Sequence, residues 1–172
     1  MNTLIVYGTK HGTTEKCASL LSKKLNGKVD LHNLKTAGIP DIAPYDKVII
    51  GGSIYAGRIQ KEISQFCTQN LNAFKNKKMG LFICAMFKDN AEAQLKNSFP
   101  EELLNAACAK ECFGGEMKFS VMSFGEKFIT KMVSKMAAKK DATLPPLDTK
   151  KDISLICEET IDQFAELMNN SL

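Results

Sequence analysis

One segment near the N-terminus has residue types suited to binding an anion. It reads Gly8-Thr9-Lys10-His11-Gly12-Thr13-Thr14 and lies between a short apolar run and a stretch of helical periodicity. Glycine permits a tight turn and close backbone approach. Threonine hydroxyls donate hydrogen bonds, and the start of a helix adds unpaired amides and a positive dipole. The segment therefore predicts a phosphate site. The alternative is that Thr13 only caps the helix.

A second segment combines glycines with an aromatic residue and the only arginine of the chain. It reads Gly51-Gly52-Ser53-Ile54-Tyr55-Ala56-Gly57-Arg58. Glycines let the backbone lie close to a planar ligand, and the Tyr55 ring offers a surface for stacking. Arg58 offers a charge that can face a carboxylate or an anionic reduced ring. The alternative is a plain turn whose tyrosine packs on the sheet edge.

Several other kinds of site lack the residues that they require. A Walker loop needs lysine and then a hydroxyl residue after its last glycine, but Gly12 is followed directly by Thr13. The dinucleotide fingerprint G-x-G-x-x-G is absent, and Arg58 follows no cysteine at the spacing of a cysteine phosphatase. Cys108 and Cys112 have no second cysteine pair or nearby histidine to complete a zinc site. We therefore assign no catalytic residue and no metal ligand.

Alternating apolar and amphipathic segments predict the elements that position these residues. Short apolar runs predict strands at Thr3–Gly8, Lys28–His32, Lys47–Gly51, Lys78–Met86 and Glu111–Phe119. Helical periodicity predicts helices at Thr13–Leu25, Ile59–Phe74, Asn90–Ala107, Ser123–Lys139 and Asp152–Asn169. This alternation predicts an α/β protein whose parallel strands are joined by right-handed crossovers. In such sheets the ligand lies beyond the carboxyl ends of the strands.

Length and composition predict the class of protein. The 172 residues suggest about one domain, and a composition of 44% hydrophobic and 24% charged residues is typical of soluble globular proteins. No apolar run is long enough to span a bilayer and no export signal is visible, so we expect a cytoplasmic protein with six reduced cysteines. The net charge of +4 comes almost entirely from lysines. Arginine forks and aromatic platforms are not concentrated, so no nucleic-acid partner is expected.

Residues 124–140 predict a basic amphipathic helix. A lysine stripe and a neighbouring apolar stripe run along it: Lys127, Lys131, Lys135 and Lys139, with Phe128, Met132 and Met136. Such helices can lie on anionic membrane surfaces, with the lysines near the lipid headgroups. However, any helix docked on its own protein also needs one apolar stripe. Both alternatives, a docked helix and an exposed membrane, quinone or partner surface, remain open from the sequence. A linker is predicted at Lys139–Lys151.

The two loops and the order of the elements resemble the flavodoxin family over nearly the whole chain. T-K-H-G-T-T is similar to the phosphate loop of that family, with His11 in place of the second hydroxyl residue, and G-G-S-I-Y-A-G is similar to its flavin loop. The resemblance implies a flavodoxin-like three-layer sandwich with a five-stranded parallel sheet. It implies a single domain, 1–172, with a basic helical insertion at about 120–140. The likeness is closest to the subgroup that includes menaquinone-dependent protoporphyrinogen dehydrogenase, which shares the S-I-x-x-G loop and the insertion.

The resemblance also implies FMN as the cofactor and assigns residues to it. The phosphate would be held by Thr9, Lys10, Gly12, Thr13 and Thr14, with His11 donating to the phosphate or bordering the ring. The flavin ring would be lined by Ser53, Ile54, Tyr55, Ala56 and Gly57. Its other side would be bordered by Ala85, Met86 and Phe87, with Phe87 in place of the tyrosine that many flavodoxins use.

The function implied is electron transfer through FMN, with a redox partner protein or a quinone. An alternative is an FMN-dependent enzyme that oxidises protoporphyrinogen and reduces a quinone, and a lesser alternative is a non-redox interaction module. Electron-carrying flavodoxins are usually strongly acidic, whereas this chain is basic. We expect Lys10 and Arg58 to favour the anionic reduced flavin and so to make its potential less negative. Peripheral membrane contact through 124–140, at the inner membrane face, is a further expectation.

Overall fold

The computed structural model describes residues 1–55, 57–86, 90–120, 122–125, 127–128, 130–132 and 152–171. The chain divides into two compact units. The first comprises Met1–Gly115 with Leu155–Leu172, and the second comprises Glu116–Ser154. The second unit covers the range, about 120–140, in which a basic helical insertion is expected. The assignment of 1–172 to a single domain stays a prediction.

A parallel sheet forms the centre of the first unit. Its strands are β1 (Asn2–Gly8), β2 (Lys28–Asn33), β3 (Lys47–Tyr55), β4 (Arg58–Ile59), β5 (Lys78–Cys84) and β6 (Ala107–Cys112). The order is β2-β1-β3-β5-β6, and every neighbouring pair along this path is parallel. The short β4 pairs antiparallel with β3 as the second strand of a hairpin. The predicted five-stranded parallel sheet is therefore confirmed.

Helices cover both faces of this sheet. They are α1 (Thr13–Ser22), α2 (Leu34–Ala37), α3 (Lys61–Gln69), α4 (Leu71–Phe74), α5 (Ala91–Ser98), α6 (Glu101–Ala106) and α7 (Glu158–Asn170). Because side chains alternate along a strand, β1 contributes to two cores. Leu4 and Val6 pack with residues of α3, α5 and α6, whereas Ile5 and Tyr7 pack with residues of α1 and α7. The three-layer arrangement follows from this alternation.

The fifth parallel strand lies earlier in the chain than the sequence predicts. The prediction of Glu111–Phe119 is wrong for most of its length, because β6 spans Ala107–Cys112. Its inward residues are small, so the strand lacks the branched and aromatic residues that usually mark one. The helix predicted at Asn90–Ala107 is divided into α5 and α6, since Pro100 is the N-cap of α6.

Two predicted helices begin too early. The helix predicted from Ile59 begins at Lys61, because Ile59 belongs to the β3–β4 hairpin, and it divides into α3 and α4. The closing helix, predicted at Asp152–Asn169, begins at Glu158. Isoleucines before each helix extend the apparent helical periodicity. Ile59 lies four residues before Ile63 of α3, and Ile153 and Ile156 precede α7.

The second unit contains a small antiparallel pair and helical residues. Strand β7 (Glu116–Met117) pairs with β8 (Ile153–Ser154), and Ser120 donates hydrogen bonds to the Asp152 carboxylate from its amide at 3.1 Å and its hydroxyl at 2.8 Å. These bonds lower the pKa of Asp152. The described residues between 124 and 132 are helical, as predicted. The rest of the predicted helix to Lys139, and the linker predicted at Lys139–Lys151, lie outside the described residues. Within the described part of the chain, no helix is long and apolar enough to cross a membrane.

Close packing between β3 and β5 depends on a glycine. A Cβ added to Gly51 would lie 2.0 Å from the Phe82 ring, which stacks on Phe113 with a centroid separation of 4.5 Å. Phe113 in turn meets Phe164 edge to face at 5.2 Å. The aromatic cluster that joins the sheet to α7 therefore needs the absence of a side chain at position 51.

We expect Gly51→Ala to lower the free energy of unfolding by about 1–3 kcal/mol, the usual cost of an overpacked core. Urea unfolding followed by circular dichroism measures the change. Gly125→Ala is the matched control, because an added Cβ there meets no atom within 4 Å. Equal unfolding midpoints for both variants and the parent protein would contradict the packing described above.

Candidate functional site

Three loops begin side by side at the carboxyl ends of neighbouring strands. They follow β1, β3 and β5, which are neighbours, and the register pairs Gly8 with Gly52 and Ser53 with Cys84. The chain passes from β1 to β2 on one side, whereas β3 lies on the other side. This change of direction is the switch point at which α/β sheets bind ligands. The structure thus brings the three predicted loops together.

The first loop is closed by its own side chain and leads into α1. The Thr9 hydroxyl accepts a hydrogen bond from the Gly12 amide at 2.9 Å. Gly12 is the N-cap of α1 with φ 84°, a left-handed conformation that favours glycine. No side chain of the described residues caps α1. The alternative role of Thr13 as a simple cap is therefore wrong, and the first amides of α1 remain available to an anion.

Thr14 is the most deeply buried of the three threonines of this loop. Its side chain lies against the thiol of Cys84, and the hydrogen bond between Cys84 and Cys17, together with burial, raises the pKa of Cys84 well above its usual value. The weaker contact with Thr14 acts in the opposite direction. A thiol is a poor hydrogen-bond partner. Thr14 Oγ1 makes no hydrogen bond of ordinary geometry with any described residue, although the residue is fully buried.

Tyr7 and Glu15 fix the loop to the start of α1. The Tyr7 hydroxyl donates a hydrogen bond to Glu15 Oε1 at 3.2 Å. Burial, and then the charge of Glu15 and this bond, raise the pKa of Tyr7 above its usual value. The bond occupies the one carboxylate of the first turn of α1. His11 lies half-buried in the same loop.

The second loop is the hairpin between β3 and β4. Tyr55 pairs with Arg58 across a turn that contains Gly57, whose φ is 76°. Sequence analysis missed Gln60, which fixes this loop: its Oε1 accepts from the Ser53 amide at 2.9 Å, and its Nε2 donates to the Ser53 hydroxyl. The sequence carries no signal for this contact beyond the position of a glutamine just after the loop.

Ile54 pairs with Ile59, and both pack against the hydrophobic core, so the Ile54 side chain serves the core. Only its backbone is left to line a ligand. Ala56 lies outside the described residues.

The third loop begins with a buried residue. The Ala85 amide donates to the Gly114 carbonyl at 3.1 Å, and a Cβ added to Gly115 would lie 2.9 Å from the backbone of Ala85 and Met86. The two glycines, which sequence analysis did not assign, thus allow the chain after β6 to support this loop. Met86 is half-buried. Phe87 lies outside the described residues.

A contact between Lys10 and Tyr55 joins the first two loops. Lys10 Nζ lies 4.0 Å from the centroid of the Tyr55 ring, within the range of a cation–π interaction. Arg58 is exposed in β4, the second strand of the hairpin. Among the described residues, no group of three or more His, Cys, Asp or Glu side chains is arranged to hold a metal ion. The assembled edge is therefore rich in hydroxyls, amides and positive charge.

Comparison with known proteins gives the family of this chain. The sequence profile of the family described as Flavodoxin domain matches residues 4–143. Protoporphyrinogen IX dehydrogenase [quinone] of Escherichia coli (strain K12) is 24% identical over 176 residues, which cover 96% of this chain and 93% of that protein.

Solved structures show the same fold. A flavodoxin of Streptococcus pneumoniae TIGR4 has a TM-score of 0.59 at 17% identity, with 100% of both chains covered. Flavodoxin 2 of Bacillus cereus has a TM-score of 0.59 at 18% identity, also with 100% of both chains covered. Together with the profile match, which spans most of the sequence, this likeness establishes that the chain belongs to the flavodoxin domain family, whose members are FMN-binding redox proteins.

Proposed function

We propose that the chain binds FMN non-covalently at the loops after β1, β3 and β5 and transfers electrons through it. The observation that carries this proposal is the buried Thr14 hydroxyl, which has no hydrogen-bond partner of ordinary geometry among the described residues. A buried polar group left without a partner costs about 1–3 kcal/mol. A phosphate oxygen is a strong acceptor and would remove that cost.

The phosphate group fits the first loop for a second reason. Helix α1 has Gly12 as its N-cap and no side-chain cap, so its first amides suit an anion, and Lys10 adds a positive charge. Since the Thr9 hydroxyl accepts from Gly12, its own hydrogen remains available for donation. We assign Thr9, Gly12, Thr13 and Thr14 to the phosphate.

The ring of FMN would be held by the second and third loops. The hairpin supplies the half-buried Tyr55 ring and the polar Ser53, both positioned by pairing with β4 or by Gln60. Ala85 and Met86 lie at the end of the neighbouring strand and would border the ring from there. FMN supplies the electron chemistry when bound, whereas these residues bind it, orient it and set its electrostatic surroundings.

The visible absorption spectrum of the purified protein, before and after addition of FMN, tests this function. We expect a flavin spectrum perturbed from that of free FMN. A colourless protein that leaves the FMN spectrum unchanged would overturn the proposal and favour a non-redox interaction module, since a fold by itself does not establish a function.

We expect Thr14→Val to weaken FMN binding by about 10- to 100-fold, because a hydrogen bond to a charged group contributes about 1.5–3 kcal/mol. The flavin-free variant should be at least as stable as the parent, since a methyl group replaces a hydroxyl without a good partner. Quenching of FMN fluorescence gives the dissociation constant, and urea unfolding gives the stability.

Thr68→Val is the matched control for this variant. Thr68 is an exposed residue of α3 whose hydroxyl donates to the Ser64 carbonyl at 2.9 Å. The same chemical change at this position should leave FMN affinity unaltered. Equal affinities for Thr14→Val and Thr68→Val would remove Thr14 from the phosphate site.

A second candidate function is that of an enzyme that passes electrons from protoporphyrinogen to a quinone. It is favoured by the Escherichia coli relative, which matches over 96% of this chain. It is also favoured by the exposure of Phe124 (93%), Phe128 (67%) and Met132 (53%), since quinones reside in membranes and large exposed apolar side chains suit an apolar surface.

A steady-state assay of the FMN-loaded protein, with protoporphyrinogen and a menaquinone analogue, separates the two functions. Hydrogen removed from protoporphyrinogen would reduce the quinone to the quinol. Turnover would assign the enzymatic function. Fully flavinated protein that shows no turnover would leave the role of an electron carrier between protein partners.

We expect Phe128→Ser to weaken binding to vesicles of phosphatidylcholine and phosphatidylglycerol by tenfold or more. Burial of one aromatic side chain contributes about 1.5–3 kcal/mol, and Lys127 and Lys131 would each add about 1 kcal/mol near anionic lipid. Co-sedimentation measures the bound fraction. The control is Ile39→Ser, which removes an exposed apolar side chain (69%) from the first unit. Equal loss of binding in both variants would exclude a specific lipid surface at Phe128.

A further inference from the structure

The contact between Lys10 and Tyr55 fixes a positive charge at the proposed flavin site. Lysine side chains at a surface are mobile, but here Nζ lies 4.0 Å from the centroid of the Tyr55 ring. The two residues belong to loops that start level, because Gly8 pairs with Gly52. The ammonium group is therefore held where the phosphate loop meets the loop proposed to line the ring.

The sequence around this contact is cationic. Residues 9–14 and 53–60 contain Lys10 and Arg58 but no aspartate or glutamate. Glu15, at the start of α1, accepts the hydrogen bond of the Tyr7 hydroxyl. Both loops therefore contribute positive formal charge and no negative formal charge to the site.

Reduction of a flavin adds charge to the ring. When an external reductant gives two electrons and the ring takes up one proton, the product carries one more negative charge than the oxidised ring. A nearby cation stabilises that product more than it stabilises the oxidised form, and only such a difference can shift an equilibrium.

We propose that Lys10, positioned by its contact with the Tyr55 ring, raises the reduction potential of the bound flavin. This inference rests on the proposed function, because it concerns FMN at the same loops. A flavin of raised potential is a weaker reductant, so its electron acceptors must themselves be easily reduced, as quinones are. Lys10 acts on the cofactor by its charge, and Tyr55 acts as the positioning residue for that charge.

The midpoint potential of the FMN-loaded protein, measured by equilibration with a reference dye during reduction, tests the role of Lys10. We expect Lys10→Gln to have a more negative potential than the parent protein. Lys78→Gln is the matched control, since it removes the same charge from an exposed residue at the opposite end of β5. Its potential should equal that of the parent. Equal potentials in all three proteins would overturn the proposal.

The role of Tyr55 is tested by a double-mutant cycle with Tyr55→Leu. If the ring holds the ammonium group in place, Lys10→Gln should shift the potential less in the Tyr55→Leu background than in the parent. An equal shift in both backgrounds would overturn the positioning role of Tyr55.

A measurement on the flavin-free protein separates this inference from the proposed function. The Cε methylene protons of Lys10 should show an upfield ring-current shift by NMR, and the shift should be lost in Tyr55→Leu. Its absence from the parent protein would overturn the contact itself. Failure of the parent to bind FMN would overturn the proposed function and this inference together, whereas bound FMN with unchanged potentials would overturn the inference alone.

Discussion

The in-register pairing of β1, β3 and β5 is the constraint on which both the core and the site depend. Side chains alternate between the faces of a strand, so a shift of one residue would turn every core side chain of that strand towards the wrong layer. The same register makes the three loops start at one level. It also places Gly51 opposite Phe82, where there is no room for a side chain. Core packing therefore fixes where the three loops start, and local contacts such as that of Gln60 with Ser53 fix the loops themselves.

Sequence analysis located the first two site loops because their signals are local. Glycines and hydroxyl residues directly after an apolar run mark the end of a buried strand, and the rule for parallel sheets brings such ends together. The strands that carry the loops are also the most apolar segments of the chain. β6 was misplaced because its inward residues, Ala107 and Ala109, are small, and because α6 ends directly where β6 begins. A local sequence pattern does not indicate a strand that contains few β-branched residues and is not preceded by a turn.

Contacts between segments distant in the sequence cannot be predicted from local sequence patterns. Gln60, which follows the second strand of the hairpin, holds Ser53 of the first strand by hydrogen bonds. Because Ile59 and Gln60 precede α3 directly, the sequence pattern assigns them to the start of that helix. Gly115 matters only because the chain after β6 returns against Ala85. The cation–π contact between Lys10 and Tyr55 also joins distant segments. The sequence of each loop indicates its own role but does not indicate that the two side chains touch. Such contacts depend on the register of the sheet, which a single sequence does not reveal.

The stability of the folded protein alone does not explain the residues found at this site. A buried Thr14 hydroxyl without a good partner and a helix that starts without a side-chain cap both destabilise a protein. Selection for folding alone would favour valine at position 14 and a serine or aspartate cap before α1. An anionic cofactor would offset both costs, because it would accept hydrogen bonds from Thr14 and from the first amides of α1. The local disadvantages therefore argue for a site that is completed by its ligand.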